Sequence, residues 1–400
     1  MLPNPFQKQL PEFKDTDPLK NREIVRELLG PEGVHKYRKI LGDNSDSNLK
    51  RQKEVSKEDL LAMAAEAHSK IDTLSRDSVK PILERLIERQ YTSQIQSLQE
   101  IGFLEPLVPQ KKKGFTIFKS KEPEETTPEK LGATDILGTF REVPTEEAIK
   151  NHFLSIPNIK QKIDQGFTRL LIVPFGSSLD TLRSKTGELI KKHKKENKLL
   201  AGDGSSLELD TTTPLWAWDE YNNADKSGKL VYYPEHFDAE HHNGKTKTEL
   251  LSSVPPNQSN SSVQNTNPFP GYHILLIQED PIIPREGKGS SQAGRDQIEA
   301  GKSPNNYLEL LTTDKNYSKE LGLTPEDWLT LFATNLTEKN KVINDYASQK
   351  DSINYLIGSY FPGSDRVPDV DWDRGDKRAG LSRNDPAFVG EYVGVSGAVG

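Results

Sequence analysis

The spacing of hydrophobic positions changes character along this chain. In residues 57–104 it is helical. Leu60, Leu61, Ala64 and Ala65 follow Ser56-Lys-Glu-Asp59, a capping-box variant. A second series, Val79, Ile82, Leu83, Leu86, Ile87, Tyr91, Ile95, Leu98 and Ile101, recurs at i, i+3, i+4 and i+7, with Pro81 in its first turn. The pattern predicts a helical hairpin over 57–104, which either packs on its own domain or mediates self-association. A shorter helix is expected from Asp17-Pro18 to Gly30, built on Ile24, Val25, Leu28 and Leu29. Residues 105–139 are charged, Pro-containing and aperiodic, and are expected to be a linker.

From residue 140 onward, helical and strand periods mix. Thr145-Glu-Glu-Ala-Ile opens a helix. Leu170-Leu-Ile-Val-Pro-Phe175 is a short apolar run of buried-strand length, and Tyr272-His-Ile-Leu-Leu-Ile-Gln278 is the strongest strand signal in the chain. Pro214-Leu-Trp-Ala-Trp218 and Leu230-Val-Tyr-Tyr-Pro234 predict two more strands. Helices are expected at Thr181–Lys198, Asn305–Leu311 and Thr324–Leu336. The last has an N-cap, proline at N1, an acidic first turn and a stripe of Trp328, Leu329, Phe332 and Leu336. Flexible loops are expected at 202–213, 252–270 and 284–303, on their Gly, Ser, Asn and Pro content. The order implies an α+β fold, a helical N-terminal region followed by a mixed domain over 140–400 with long loops.

Composition narrows the function. Of 400 residues, 33% are hydrophobic and the net charge is −7. An acidic chain without a basic domain gives no ground for nucleic-acid binding. With no cysteine, thiolate metal sites, disulfides and cysteine nucleophiles are excluded. The opening MLPNPFQKQLPEFKDTD has no apolar core of a signal sequence, and no apolar run reaches membrane-spanning length. A cytoplasmic protein with no membrane partner and no cofactor is expected.

Two local patterns invite chemistry. His236, Asp238, Glu240, His241 and His242 carry ligand atoms suited to zinc, though their spacing matches no helical metal motif and adjacent histidines point apart on a strand. They read as a metal site of a metal-dependent enzyme or as a surface loop. Gly176-Ser-Ser-Leu-Asp180, between a strand and a helix, can seat a phosphate on helix N–H groups or serve as a plain turn, and it lacks the glycine spacing and lysine of a P-loop.

The C-terminal stretch Tyr355–Gly400 is the most suggestive. Tyr355-Leu-Ile-Gly-Ser-Tyr-Phe361 reads as a strand closed by Pro362-Gly363. Val367, Val370 and Trp372 alternate with Arg366, Asp369, Asp371 and Asp373, as in a strand with one charged face outward. Ala379 and Leu381 repeat the theme, Asn384-Asp385-Pro386 is a turn, and Tyr392–Val399 reads as a strand entering a tight interior. Gly358, Ser359, Trp372, Ala379, Leu381, Asp385, Pro386, Gly394, Val395, Ala398 and Val399 together resemble the ending of C-type lectin-like folds. The branch is that of formylglycine-generating-enzyme-like domains and the variable proteins of diversity-generating retroelements, with a group of uncharacterised bacterial proteins that end similarly. Ser396 stands where that ending carries an arginine. The resemblance covers the last quarter of the chain. It implies a non-catalytic binding module whose long loops and C-terminal strands face a protein or other macromolecular ligand. The residues implied are Arg366, Asp369, Asp371, Asp373, Arg374, Asp376, Lys377, Arg383 and Asn384, with Trp372 as a core anchor. The enzymes of that branch use cysteines, so only their scaffold can be shared. A structural or assembly role through the N-terminal helices is the other reading.

Overall fold

The computed structural model describes residues 57–107, 130–252 and 268–400, with side chains from residue 79. The helix expected near 18–29 and most of the Asn/Ser/Pro-rich loop at 252–270 lie outside the described residues. The fold is α+β. Among the described residues, no helix is long and apolar enough to cross a membrane.

The principal elements are α1 (Lys57–Ile101), β1 (Phe167–Val173), α2 (Leu179–Lys195), β2 (Leu215–Ala217), β3 (Val231–Tyr232), β4 (His273–Gln278) and α3 (Pro304–Thr313). They continue with β5 (Leu321–Gly322), α4 (Pro325–Lys339), β6 (Ile353–Tyr355), β7 (Val367–Asp373), β8 (Arg378–Asn384), β9 (Val393–Gly394) and β10 (Gly397–Val399). One antiparallel sheet has the order β5-β10-β4-β1. A second has the order β9-β6-β7-β8-β2, parallel at its two outer pairs and antiparallel within.

The expected hairpin over 57–104 is instead one continuous helix that runs through Pro81. A proline removes one i→i−4 hydrogen bond, but the residues around it contain neither glycine nor a turn pair to stop the helix. The chain divides into two compact units, Met1–Ile82 and Leu83–Gly400. The second unit therefore begins within α1, far upstream of the expected domain start at 140, because Leu83, Ile87 and Leu98 are fully buried there. The expected linker also contributes structure: Leu131–Thr134 pairs with Glu105–Pro106 on one side and Phe140–Glu142 on the other.

α1 performs a second task. β1 is the outer strand of its sheet, and a bare strand edge must be covered. Gln90 supplies the missing neighbour: its Nε2 donates to Thr168 O at 2.7 Å and its Oε1 accepts from Leu170 N at 2.9 Å. Gln94 Oε1 accepts from Ile172 N at 3.5 Å.

α4 is the central helix. Every residue from Pro325 to Leu336 is buried, a wider burial than the stripe its sequence suggests. It packs on α2 and β1, and Phe332 meets Trp372 of β7 with centroids 6.4 Å apart. Its polar residues are satisfied internally: Thr330 and Thr334 hydroxyls donate to the carbonyls four residues back, and Asn335 bridges Arg169 and Lys341 O. The expected N-cap is formed by Thr324, and Asp327 completes a capping box with it. At one point two backbones touch: a Cβ on Gly358 would lie 2.4 Å from Gly322 O, so only glycine permits the approach. The chain kinks there, and the single strand expected at 355–361 becomes β6 and a separate short strand, Ser359–Tyr360.

The 284–303 segment, expected to be a flexible loop, is organised by its own bonds. The Glu299 carboxylate accepts from Gly287 N and Gly289 N, and a hairpin pairs Ser291–Gln292 with Arg295–Asp296. Arg295, only 2% exposed, donates through Nε and Nη2 to Glu320 at 2.7 and 2.6 Å and covers the rings of Phe167 and Tyr317. Lys162 Nζ donates to the same Glu320 at 2.8 Å.

Two stability changes follow. Gln90→Met leaves the Leu170 N–H and Thr168 C=O unpaired, and is expected to cost about 2 kcal/mol in chemical denaturation. Glu320→Gln leaves Arg295 and Lys162 buried without their anion, and is expected to cost about 3–5 kcal/mol by the same measurement.

Candidate ligand-binding face

The face is built by the β7–β8 hairpin, paired in register from Val367↔Asn384 to Asp373↔Arg378. Alternation places Val367, Asp369, Asp371 and Asp373 on one side of β7, and Pro368, Val370 and Trp372 on the other. Trp372 is fully buried against α4, a core anchor. The charged side is not the uniformly exposed face that alternation suggests. Val367 packs with Tyr355, Val393 and the α3 residues Tyr307 and Leu311, so one end of this side is covered, and Asp369 is only 4% exposed. Further along, Asp371 and Asp373 are half-buried and Asp376 is exposed.

The remaining expected ligand residues have individual partners. Asn384 Nδ2 donates to Asp369 Oδ2 at 2.5 Å. Asp373 Oδ1 accepts from Gly375 N and Asp376 N and closes the hairpin turn. Arg374 grips Asp345 through Nε and Nη2 at 2.8 and 2.6 Å. Arg378 pairs with Asp376 and lies over Trp216 at 5.6 Å. Arg383 lies over Trp218 at 4.5 Å, with its buried Nε lacking a hydrogen-bond partner among the described residues. Arg366 reaches Asp385, and Lys377 is exposed at a positive φ of 57° in the turn.

Asp371 stands apart. Its carboxylate accepts no hydrogen bond among the described residues and lies over Gly380, where a Cβ would come within 2.7 Å of Oδ1. Burial pushes its carboxyl up to about 8, with the charges of Asp369, Asp373 and Asp376 adding to the effect and Arg378 opposing it. Burial raises Asp369 to about 7 against the pull of Asn384 and Arg383. Tyr346 completes this side: burial, then Asp373 and Asp371, raise its phenol.

Beside these carboxylates runs the loop 385–392, a feature that the sequence shows only as a turn. Its backbone is pinned: Asp385 O accepts from Phe388 N, Pro386 O from Asn305 N, and the Tyr355 hydroxyl donates to Phe388 O. Its apolar side chains nevertheless stand in solvent, Phe388 at 41%, Val389 at 58% and Tyr392 at 43% exposure. Tyr392 stacks on Tyr346 at 5.9 Å and carries the Arg285 guanidinium 5.6 Å from its ring. Tyr346 thus joins the acidic and apolar parts of one face.

The structure does not bring the expected metal ligands together. Asp238 Oδ1 accepts from Glu240 N and His241 N, both at 2.8 Å, and from His241 Nδ1, while His242 Nδ1 accepts from Gly244 N. These are the bonds of a tight exposed turn, and His236 is exposed without joining it. Among the described residues, no three His, Asp or Glu side chains are placed to hold a metal ion. The phosphate seat is also filled from within. At the N-terminus of α2, Leu179 N donates to Asp225 Oδ2 and Thr181 N to Ser178 Oγ.

Comparison with protein-family models, curated proteins and solved structures finds no match to this chain.

The burial of Asp371, with its acidic neighbours, sets a pH dependence. A carboxyl raised to about 8 binds its proton more tightly in the folded than in the unfolded chain. Its contribution is complete below the unfolded value near 4 and is lost as pH rises through about 8. Asp371→Asn removes the ionisation. Thermal unfolding is expected to show little difference from the parent at about pH 5 and a higher melting temperature for the variant at about pH 9.

Proposed function

We propose that this chain is a non-catalytic binding module of the cytoplasm, whose C-terminal strands and 385–392 loop present a face to a macromolecular ligand. The ligand's complementary chemistry is basic and apolar, that of an amphipathic cationic protein segment. One observation carries this reading. Phe388, Val389 and Tyr392 are held in solvent on a pinned loop, and Tyr392 stacks on Tyr346, whose phenol feels the charges of Asp373 and Asp371. Contiguous exposed apolar groups rimmed by charge mark interaction surfaces. A cation placed among Asp371, Asp373 and Tyr346 would favour the ionised carboxylates and meet aromatic faces. The resemblance of the C-terminal residues to C-type lectin-like folds agrees with a scaffold that displays a binding surface. The other readings have no comparable support, since the His236–His242 ligands do not converge and the helical hairpin is a single helix.

The test uses fluorescence anisotropy of the purified chain with labelled peptides of equal length, one rich in Lys, Arg and Leu, the other with Glu in place of the cations. The basic peptide is expected to bind more tightly, and Tyr392→Ala or Asp373→Asn to weaken it by roughly tenfold, as for loss of a central interface residue. Equal binding of the two peptides, or unchanged binding by both variants, would overturn the proposal.

A further inference from the structure

We propose that Lys247 and Asp225 form an intramolecular isopeptide bond, with Glu326 relaying the protons. The three residues come from separate parts of the fold: the short helix Lys247–Ser252, the short helix Ala224–Ser227 and the first turn of α4. All three side chains are fully buried. Lys247 Nζ lies 2.9 Å from Asp225 Oδ2 and 2.7 Å from Glu326 Oε1, and donates to Ser177 O at 3.0 Å. Phe175 and Tyr232 enclose it, their ring centroids 5.0 and 5.7 Å from Nζ. An amine and a carboxyl held in contact, fully buried from bulk solvent, meet the positional demand of condensation.

The acceptor is already polarised. Asp225 Oδ2 takes Leu179 N–H at 2.8 Å and Oδ1 takes Lys226 N–H at 2.9 Å. The base is also in place. Glu326 Oε1 accepts from the Tyr232 hydroxyl at 2.7 Å, while Oε2 is buried with no hydrogen-bond partner among the described residues. One lysine thus faces two carboxyl groups in a fully buried site, a costly arrangement if ionic.

The step balances without any co-reactant. Glu326 takes a proton from the Lys247 ammonium, and the freed amine attacks Cγ of Asp225. A C–N bond forms, and the developing oxyanion on Oδ1 faces the Lys226 N–H. The Cγ–Oδ2 bond breaks with its electron pair on oxygen, which takes the proton from Glu326 and a second proton from the nitrogen and leaves as water. A secondary amide remains, Glu326 returns to its starting state, and nothing is oxidised or reduced.

Intact mass spectrometry of the purified full chain decides the matter. The expected result is a mass lower than the sequence mass by one water, with tryptic peptides containing Asp225 and Lys247 joined. Lys247→Arg keeps a cation in the site but has no primary amine, and is expected at its full sequence mass; Glu326→Gln is expected to lose or slow the cross-link. A wild-type chain at full sequence mass, or a one-water deficit that persists in Lys247→Arg, overturns the proposal whether or not the Glu326 variant folds.

Discussion

The rest of this structure depends on burying an acidic helix N-terminus. Glu326 and Asp327 occupy the first turn of α4, a helix with no solvent-facing side over most of its length. The helix dipole favours negative charge there, and the capping box gives Asp327 a backbone N–H. Two carboxylates out of water still need cations or strong donors. Lys247 and Tyr232 answer Glu326, and His273 Nδ1 meets Asp327 Oδ1 at 2.8 Å. Lys247 in turn holds Asp225, which caps α2. β3, β4, α2 and α4 are therefore tied together by one polar cluster, with Phe175 stacked on His273 at 3.9 Å to keep it dry. Tyr233 lies beside it, its hydroxyl 3.0 Å from His273 Nε2 and 3.3 Å from Nδ1. That near-equal spacing places the hydroxyl over the imidazole rather than along a lone pair, so the group packs against the histidine instead of extending a linear proton path.

Elsewhere in the compact unit the same rule recurs. Glu320 serves Arg295 and Lys162 together, and Arg169 joins Asn335 to Glu338. The β7–β8 face breaks the rule. There, carboxylates gather on one side of a strand, Asp371 has Arg378 in partial opposition, and it has no hydrogen-bond donor among the described residues. A scaffold that matches charges so closely within its core, but leaves them unmatched beside an apolar loop, separates its stability from its surface. The contrast is the physical basis for reading that face as the working one.

Much of the local structure was legible. The strands near 170, 215, 230 and 272 lie where their apolar runs predict, and the N-caps at Thr145 and Thr324 are formed. Of the candidate face, β7 and β8 were legible as strands from their alternation, which also put Trp372 on the apolar side. The exposed 385–392 loop was not. Tyr392 read as the start of a strand entering the interior, whereas its side chain and those of Phe388 and Val389 stand in solvent. Asp369 was misplaced for a related reason: alternation gives two sides to a strand but does not say which side α3 will cover.

The sequence by itself determined what acts over a few residues: helix starts, strand lengths, turns, and the absence of any cysteine chemistry. These follow from backbone sterics, capping and periodicity, which a short window contains. Only the tertiary structure decided what depends on distant partners. It set β2 parallel to β8 although they lie far apart in the chain, made Gln90 and Gln94 the edge of a sheet, carried α1 through Pro81, and turned Lys247 inward between two carboxylates. A lysine in a Gly-Lys-Thr-Lys stretch has the local signature of a surface residue. Its burial is set by the charge of Glu326, seventy-nine residues further along the chain, and no local pattern carries that information.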